Sequence, residues 1–528
     1  VYAIVHSWYV SGALCRFDKA TGASCPFVLD GKPRPFELVM TDIFGTPLPA
    51  SKDKPAWSPF GKESEAPISA MAVHDQRLIL AREDGKLFIL NAASAAPEGS
   101  FDVTDLSALA FSAQGALYAV QKGKLIAIDL TSGNVTPIAA EGLSQAVGLA
   151  VDSSGNLVTA DLGPDCQVKA FTPAGKPAYT CGRKGGRALR GVWDAQAMRQ
   201  MSAVAVDAQD NIWVTEECDT PRRVSVWGRD GKLVRDYIGN TGYSGTGAYL
   251  HESDPDLAYV GPIEMKLDRK NRTYSVTRIL WVPDESAGEA FPIWTHTAHW
   301  FPNASFTRSA ASGKDRRYLF FNDSYNAVYM ERGDCWQPVA VLGHIRDLPP
   351  FLRQGAFKDC DEKDGFYWND LNKDGKVTRD ECTIVKGGIP LGRSMTDWGK
   401  RLGADLSIYA GGIVRYKPTR FLDDGAPVYG PEGLTELAAK ESGDFVPVTA
   451  ENKLLCLSFT GYPGPTTGML GIDENSGKIL WSYPNPYPSV HGSHNATMPK
   501  PGLLIGGLKI CGVARVNDTV GNICLGRG

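Results

Sequence analysis

Four segments share one pattern of apolar and polar positions. They are Ile68-Ser69-Ala70-Met71-Ala72-Val73, Ser107-Ala108-Leu109-Ala110-Phe111, Val147-Gly148-Leu149-Ala150-Val151 and Ser202-Ala203-Val204-Ala205-Val206. Ala72, Ala110, Ala150 and Ala205 fall at equivalent places, 38, 40 and 55 residues apart, and a basic insert around Arg183 to Arg190 lengthens the last interval. A period near 40 residues marks a repeat architecture. A polar turn follows each apolar strand, as in Asp152-Ser153-Ser154-Gly155-Asn156 and Asp207-Ala208-Gln209-Asp210-Asn211, and a second strand such as Ile212-Trp213-Val214 comes next. Further turns at Asp84-Gly85, Gly123 and Asp230-Gly231 lead into Lys-Leu pairs that open another strand. Three to four strands per repeat is the count of a propeller blade. The spacing therefore predicts an all-β chain, a single β-propeller over residues 1–528 with about seven or eight blades and long loop insertions. Two fused propellers are the alternative. Between about residues 240 and 450 the repeat blurs, although Arg317 to Phe321, Ala327 to Met330 and Val339 to Leu342 still read as strands.

These units resemble the NHL-type repeats of secreted bacterial propellers. A second signature, Asp-x-x-Thr/Ser-Gly, occurs at Asp18 to Gly22, Asp129 to Gly133 and Asp473 to Gly477, the last continuing into Lys478-Ile479-Leu480-Trp481. It resembles the repeat of quinoprotein-like propellers and is also a turn sequence in its own right. The resemblance covers residues 68–240 and, less closely, 450–490. Many quinoprotein alcohol dehydrogenases use a disulfide between adjacent cysteines beside the cofactor, and no Cys-Cys dipeptide occurs here. A quinone-dependent dehydrogenase is disfavoured accordingly.

Composition narrows the partners. With 57 Gly and 34 Pro among 528 residues the chain is rich in tight turns, and its formal net charge of -4 supplies no overall basic field for nucleic acid. No apolar run approaches the ~18 residues of a membrane-spanning helix, so no transmembrane segment is expected. Val1 in place of a methionine fits a removed secretion signal as well as it fits a trimmed piece, and more chain is expected after Gly528. The 11 cysteines are an odd number, so at least one is free or joined to another chain. Cys15 with Cys25, Cys166 with Cys181 and Cys511 with Cys524 each bracket a turn, which places them within reach of a cross-hairpin disulfide. An extracytoplasmic location (secreted, periplasmic or cell surface) follows from that reading, and buried thiols in a reduced protein are the alternative.

The sharpest local motif runs from Asp370 to Glu381, within an insertion placed at residues 345–400. Oxygen-bearing Asp370, Asn372 and Asp374 occupy loop positions 1, 3 and 5, Gly375 position 6, the Lys376 carbonyl position 7, Val377 position 8, Thr378 position 9 and Glu381 position 12. This is the complete pattern of an EF-hand-like calcium loop, in which a hard cation collects six to eight oxygens around a sharp glycine bend. Calcium is expected as a structural ion, since there is only one such loop and Cys360 and Cys382 flank it, a pair that would restrain its opening if bonded. An acidic surface turn is the alternative.

Two His-x-x-His pairs, His296 with His299 and His491 with His494, are candidates for a shared transition metal or a general base. Neither has the glutamate or the helical context of a metalloprotease site, and loop histidines commonly bond backbone. Trp281, Trp294, Trp300, Tyr243 and Tyr249 lie near Arg278 and Asp284 in sequence, a mixture that suits a polysaccharide or peptide surface and equally a propeller core. Covalent-haem, phosphate-loop and nucleophile-elbow motifs do not occur. Two functions follow. The first is a calcium-stabilised binding or assembly module for a protein or polysaccharide ligand or another chain. The second is a carbohydrate-active enzyme, a lyase or hydrolase with the four histidines on one propeller face.

Overall fold

The computed structural model describes residues 1–7, 10–29, 32–34, 68–217, 221–239, 248–251, 253–260, 262–281, 305–322, 325–391, 402–410, 414–437, 443–448, 453–459, 466–473, 476, 478–483, 509–517, 519 and 521–527. They divide into two compact units, Val1–Ala188 with Asp194–Gly239 and Leu189–Trp193 with Asn240–Gly528. Antiparallel sheet dominates both.

Four consecutive four-stranded meanders make up most of the first unit. Their first strands are Ile68–His74, Leu106–Phe111, Ala146–Val151 and Met201–Val206, so Ala72, Ala110, Ala150 and Ala205 do occupy equivalent places. The first strand of each sheet lies beside that of the next. This is the wedge-like stacking of propeller blades. Period-2 alternation in the second strands explains the packing. In Arg77–Arg82, Ile79 and Ala81 join the core shared with Leu109, Leu117 and Ile126 of the second sheet, while Leu78 and Leu80 pack on Leu14 and Phe27 of the N-terminal hairpins. Val158 and Ala160 of the third sheet meet Val204, Ile212 and Trp227 of the fourth in the same way.

The polar turns carry their own bonds. In the fourth sheet Asp207 Oδ1 accepts from the N–H groups of Gln209 and Asn211, each at 2.9 Å, and Oδ2 accepts from Trp213 Nε1 at 2.9 Å. The indole N–H, followed by the Asn211 amide, depresses the Asp207 carboxyl to about 2. A carboxyl held below its unfolded value of about 3.9 contributes stability above that pH, and the contribution disappears as pH falls through about 2. A carboxyl-carbon NMR titration should therefore show Asp207 titrating near the lower value and the Trp213→Phe variant titrating higher. An identical midpoint in both would rule out the indole as the cause.

Two of the Asp-x-x-Thr/Ser-Gly sequences, at Asp129 and Asp473, join third strands to fourth strands, and the one at Asp18 turns the chain between Phe17 and Ser24 after a two-stranded hairpin. Asp129 accepts from the Thr131 N–H at 2.8 Å and from Ser132 Oγ at 2.7 Å, and Gly133 takes φ 75°. In the first sheet Asn91 and Ser94 build the same turn with Ala95 at φ 56° in place of glycine.

Cysteine placement departs from the expected hairpin pairing because the registers are offset. The Cys25 N–H bonds the Arg16 carbonyl at 2.8 Å, one residue out of step with Cys15, and Cys524 lies opposite Val513, with Cys511 at a bulge. Cys181 lies opposite Val168, whereas Cys166 sits outside the strand at φ 46°. Cys166 and Cys181 are separate thiols, and burial pushes Cys181 up to about 12.

The second unit contains a five-stranded sheet and a six-stranded sheet. The six strands, in order, are Ser305–Ser309, Arg316–Asn322, Tyr325–Arg332, Cys335–His344, Gly365–Asn369 and Cys382–Val385. Each face carries a core. Leu319, Ala327, Tyr329, Val341, Phe366 and Trp368 lie on one side, and Tyr318, Phe320, Val328, Ala340, Leu342 and Tyr367 on the other. A three-stranded sheet follows from Ile408–Ala410, then a four-stranded sheet from Gly443–Val448 to Ile479–Tyr483, and last the hairpin of Lys509–Asn517 with Gly521–Arg527. No helix among the described residues is long and apolar enough to cross a membrane.

Candidate functional site

The loop from Asp370 to Glu381 joins two neighbouring strands of the six-stranded sheet, Gly365–Asn369 and Cys382–Val385. The first of these is buried at every position, which carries Asp370 into the interior with its side chain fully excluded from solvent. Asp370 Oδ1 accepts from the Gly375 N–H at 3.1 Å, and Gly375 takes φ 69°, the bend that position 6 requires. Val377 packs on the core beneath the loop and Thr378 starts a capping box over the short helix Arg379–Glu381. Glu381 is the hub. Its Oε1 accepts from Leu371 N at 2.9 Å and Asn372 N at 3.2 Å, and its Oε2 accepts from Thr378 Oγ1 at 2.9 Å and Trp368 Nε1 at 3.3 Å. Asn372 and Asp374 each receive one loop N–H, from Asp374 at 2.9 Å and Lys376 at 2.7 Å.

Charge in the loop is already partly answered. Arg332 bonds Asp370 Oδ2 and reaches Asp424 at 2.8 Å, and Lys373 pairs with Asp423. Burial pushes the Asp370 carboxyl above its ordinary range, while Arg332 and the Gly375 N–H pull it down. No group of three metal-ligating side chains converges among the described residues. The residue types are those that would hold a hard divalent cation, with oxygen at positions 1, 3, 5, 9 and 12, a carbonyl at 7 and glycine at the bend. Cys360 and Cys382 are separate thiols beside the same core, and burial pushes Cys382 up to about 12.

His296, His299, His491 and His494 lie outside the described residues, as do Trp294, Trp300, Tyr243 and Asp284. Trp281 belongs to the core, 4% exposed. Arg278 is held in an ion-pair chain with Glu264 at 2.6 Å and Glu331 at 3.1 Å.

Two arrangements lay outside what the sequence motifs signalled. One is a cavity of about 500 Å³ in the second unit, to which Arg308, Arg316, Arg317 and Arg332 all contribute. Its only linear trace is the short basic run Lys314-Asp315-Arg316-Arg317. The other is a buried charge cluster in the first unit, where Glu216 takes Arg187 on one oxygen at 3.0 Å and Arg223 on the other at 3.1 Å.

No family model and no curated protein matches the chain. Among solved structures, a virginiamycin B lyase from Staphylococcus aureus aligns at 12% identity over 52% of this chain and 85% of its own, with a TM-score of 0.27. A streptogramin B lyase aligns at 13% identity over 51% of this chain and 82% of its own, with a TM-score of 0.26. The computationally designed Ika4 protein aligns at 14% identity over 34% of this chain and 93% of its own, with a TM-score of 0.22. Likenesses this distant carry no argument about activity.

Proposed function

We propose that the chain is an extracytoplasmic, propeller-type binding or assembly module in which calcium at Asp370, Asn372, Asp374, Lys376, Thr378 and Glu381 orders the second unit. The observation that carries this is the seating of the loop. A complete twelve-residue pattern spans two paired strands, with its first carboxylate fully buried and its position-8 valine packed against the core. Lys373 and Lys376 within the loop and Arg332 beside it oppose the cation, so affinity should fall in the weak range of extracellular calcium modules, about 10⁻⁴–10⁻³ M. Such a site fills where calcium is millimolar, which agrees with an extracytoplasmic setting. Calcium, when bound, would supply positive charge and tie together the oxygens of the loop. The chain's own residues do the rest, with Trp368 and Thr378 aiming Glu381 and Gly375 orienting Asp370. A protein, a polysaccharide or another chain is the expected partner.

Thermal melting with calcium against melting with chelator tests the site. At 100-fold excess over the dissociation constant, a ligand that binds only the folded state adds about 2.7 kcal/mol. Asp370→Ala and Glu381→Ala should each abolish the calcium-dependent rise in melting temperature. A rise that persists in both variants would put the ion elsewhere.

A further inference from the structure

The cavity of about 500 Å³ lies where Ser305–Ser309, Arg316–Asn322 and Tyr325–Arg332 run side by side. Register puts Arg308 directly opposite Arg317. Like charges in that position repel, so a sheet keeps them where something negative lies between or beside them. Within the hairpin spanning residues 308–317, Arg308, Lys314, Arg316 and Arg317 stand against one carboxylate, Asp315. Asp315 sits on Arg308, at 2.8 and 3.0 Å from Nε.

The guanidinium groups are held in place rather than loose. Arg317 lies over the rings of Tyr259, at 5.1 Å, and Trp336, at 5.6 Å, and donates to the Tyr259 hydroxyl at 3.0 Å. Arg316 gives its Nε to the Asp424 carbonyl at 3.3 Å. Arg332 commits its terminal nitrogens to Asp370 and Asp424, and its Nε is buried with no hydrogen-bond partner among the described residues. Of the other lining carboxylates, Glu331 pairs with Arg278 and Asp424 with Arg332 on the cavity wall itself. Positive charge therefore gathers on the hairpin side of the cavity. Fixed, stacked guanidinium forks match the planar, two-oxygen edge of an oxyanion better than a mobile lysine does.

We propose that this cavity binds a small ligand through an oxyanion group, a carboxylate or a sulfate, received between Arg308, Arg316 and Arg317. Its volume lies within the range that encloses a small molecule. The proposal does not rest on the calcium reading, although Arg332 on the cavity wall also pairs with Asp370 of the loop.

Isothermal titration of the full chain with sodium glucuronate and with inorganic sulfate, at low ionic strength, supplies the test. At least one probe should bind, and Arg316→Gln and Arg317→Gln should each weaken it by about tenfold, the loss of one charge-assisted hydrogen-bonded pair. Glucuronate binding without sulfate binding identifies a carboxylate-bearing ligand, and the reverse identifies a sulfated one. Arg317 also packs on Trp336, so exposed Arg316 is the variant that stays informative if Arg317→Gln misfolds. Absence of heat for both probes at about 10 mM, where affinity corresponds to less than about 3 kcal/mol, overturns the proposal. So does binding that Arg316→Gln leaves unchanged.

Discussion

Glu216→Ala is expected to destabilise the first unit by about 3–5 kcal/mol, the cost of leaving buried charge without its partner. Glu216 and Arg223 are fully buried and Arg187 is 1% exposed, so water cannot replace the lost carboxylate. Two guanidinium groups would stay behind. Arg223 keeps Asp236 at 3.0 Å and the carbonyls of Ala195 and Ala197, and Glu216 also anchors the Arg199 N–H at 2.9 Å. A variant in which Arg187, Glu216 and Arg223 are all made apolar should recover part of the loss, because apolar packing often equals or exceeds a buried ion pair. Recovery is incomplete since the Ala195 and Ala197 carbonyls lose a donor. Urea unfolding followed by Trp fluorescence measures both. A loss under about 1 kcal/mol for Glu216→Ala, the scale of a solvated pair, would show that water reaches the cluster.

Trp368→Ala should cost a comparable amount, about 3–5 kcal/mol, from the cavity left in the core of the second unit. Trp368 is fully buried among Leu319, Tyr329, Val341 and Phe366. It also donates from Nε1 to Glu381. Trp368→Phe separates the two roles, since phenylalanine restores much of the packing and none of the hydrogen bond. The phenylalanine variant should keep most of its urea stability and bind calcium more weakly than the parent chain. Equal calcium affinity in parent and phenylalanine variant would show that the indole does not aim the glutamate.

The four alternating sheets were legible because each repeats a small apolar first strand and a polar turn within about 40 residues, and local pattern is enough to reveal that. The six-stranded sheet was less so. Its central strands Tyr325–Arg332 and Cys335–His344 are buried on both faces over most of their length and show little alternation. Loop 370–381 was visible because its oxygens are contiguous in sequence, whereas Arg332, which meets Asp370 from 38 residues away, leaves no local trace. The arginines at 308, 316, 317 and 332 come together only through strand register. Cysteine pairing failed for the opposite reason. Turn symmetry is a guide to register good to one residue, and a one-residue slip separates Cys25 from Cys15. The basic insert that lengthened the last repeat interval supplies Arg187 to the buried cluster, a role its polar surroundings in sequence conceal.

Side-by-side first strands make the four meanders of the first unit a row of nearest neighbours, with apolar clusters shared between adjacent sheets. Stability in such a row is close to a sum of local contributions and neighbour couplings, and disturbance fades with distance along it. Sequence can then drift in one sheet without consulting the rest, provided the two surfaces it shares are kept. The 55-residue interval holding the basic insert fits that picture, since the sheets on either side of this long excursion are four-stranded meanders like the others.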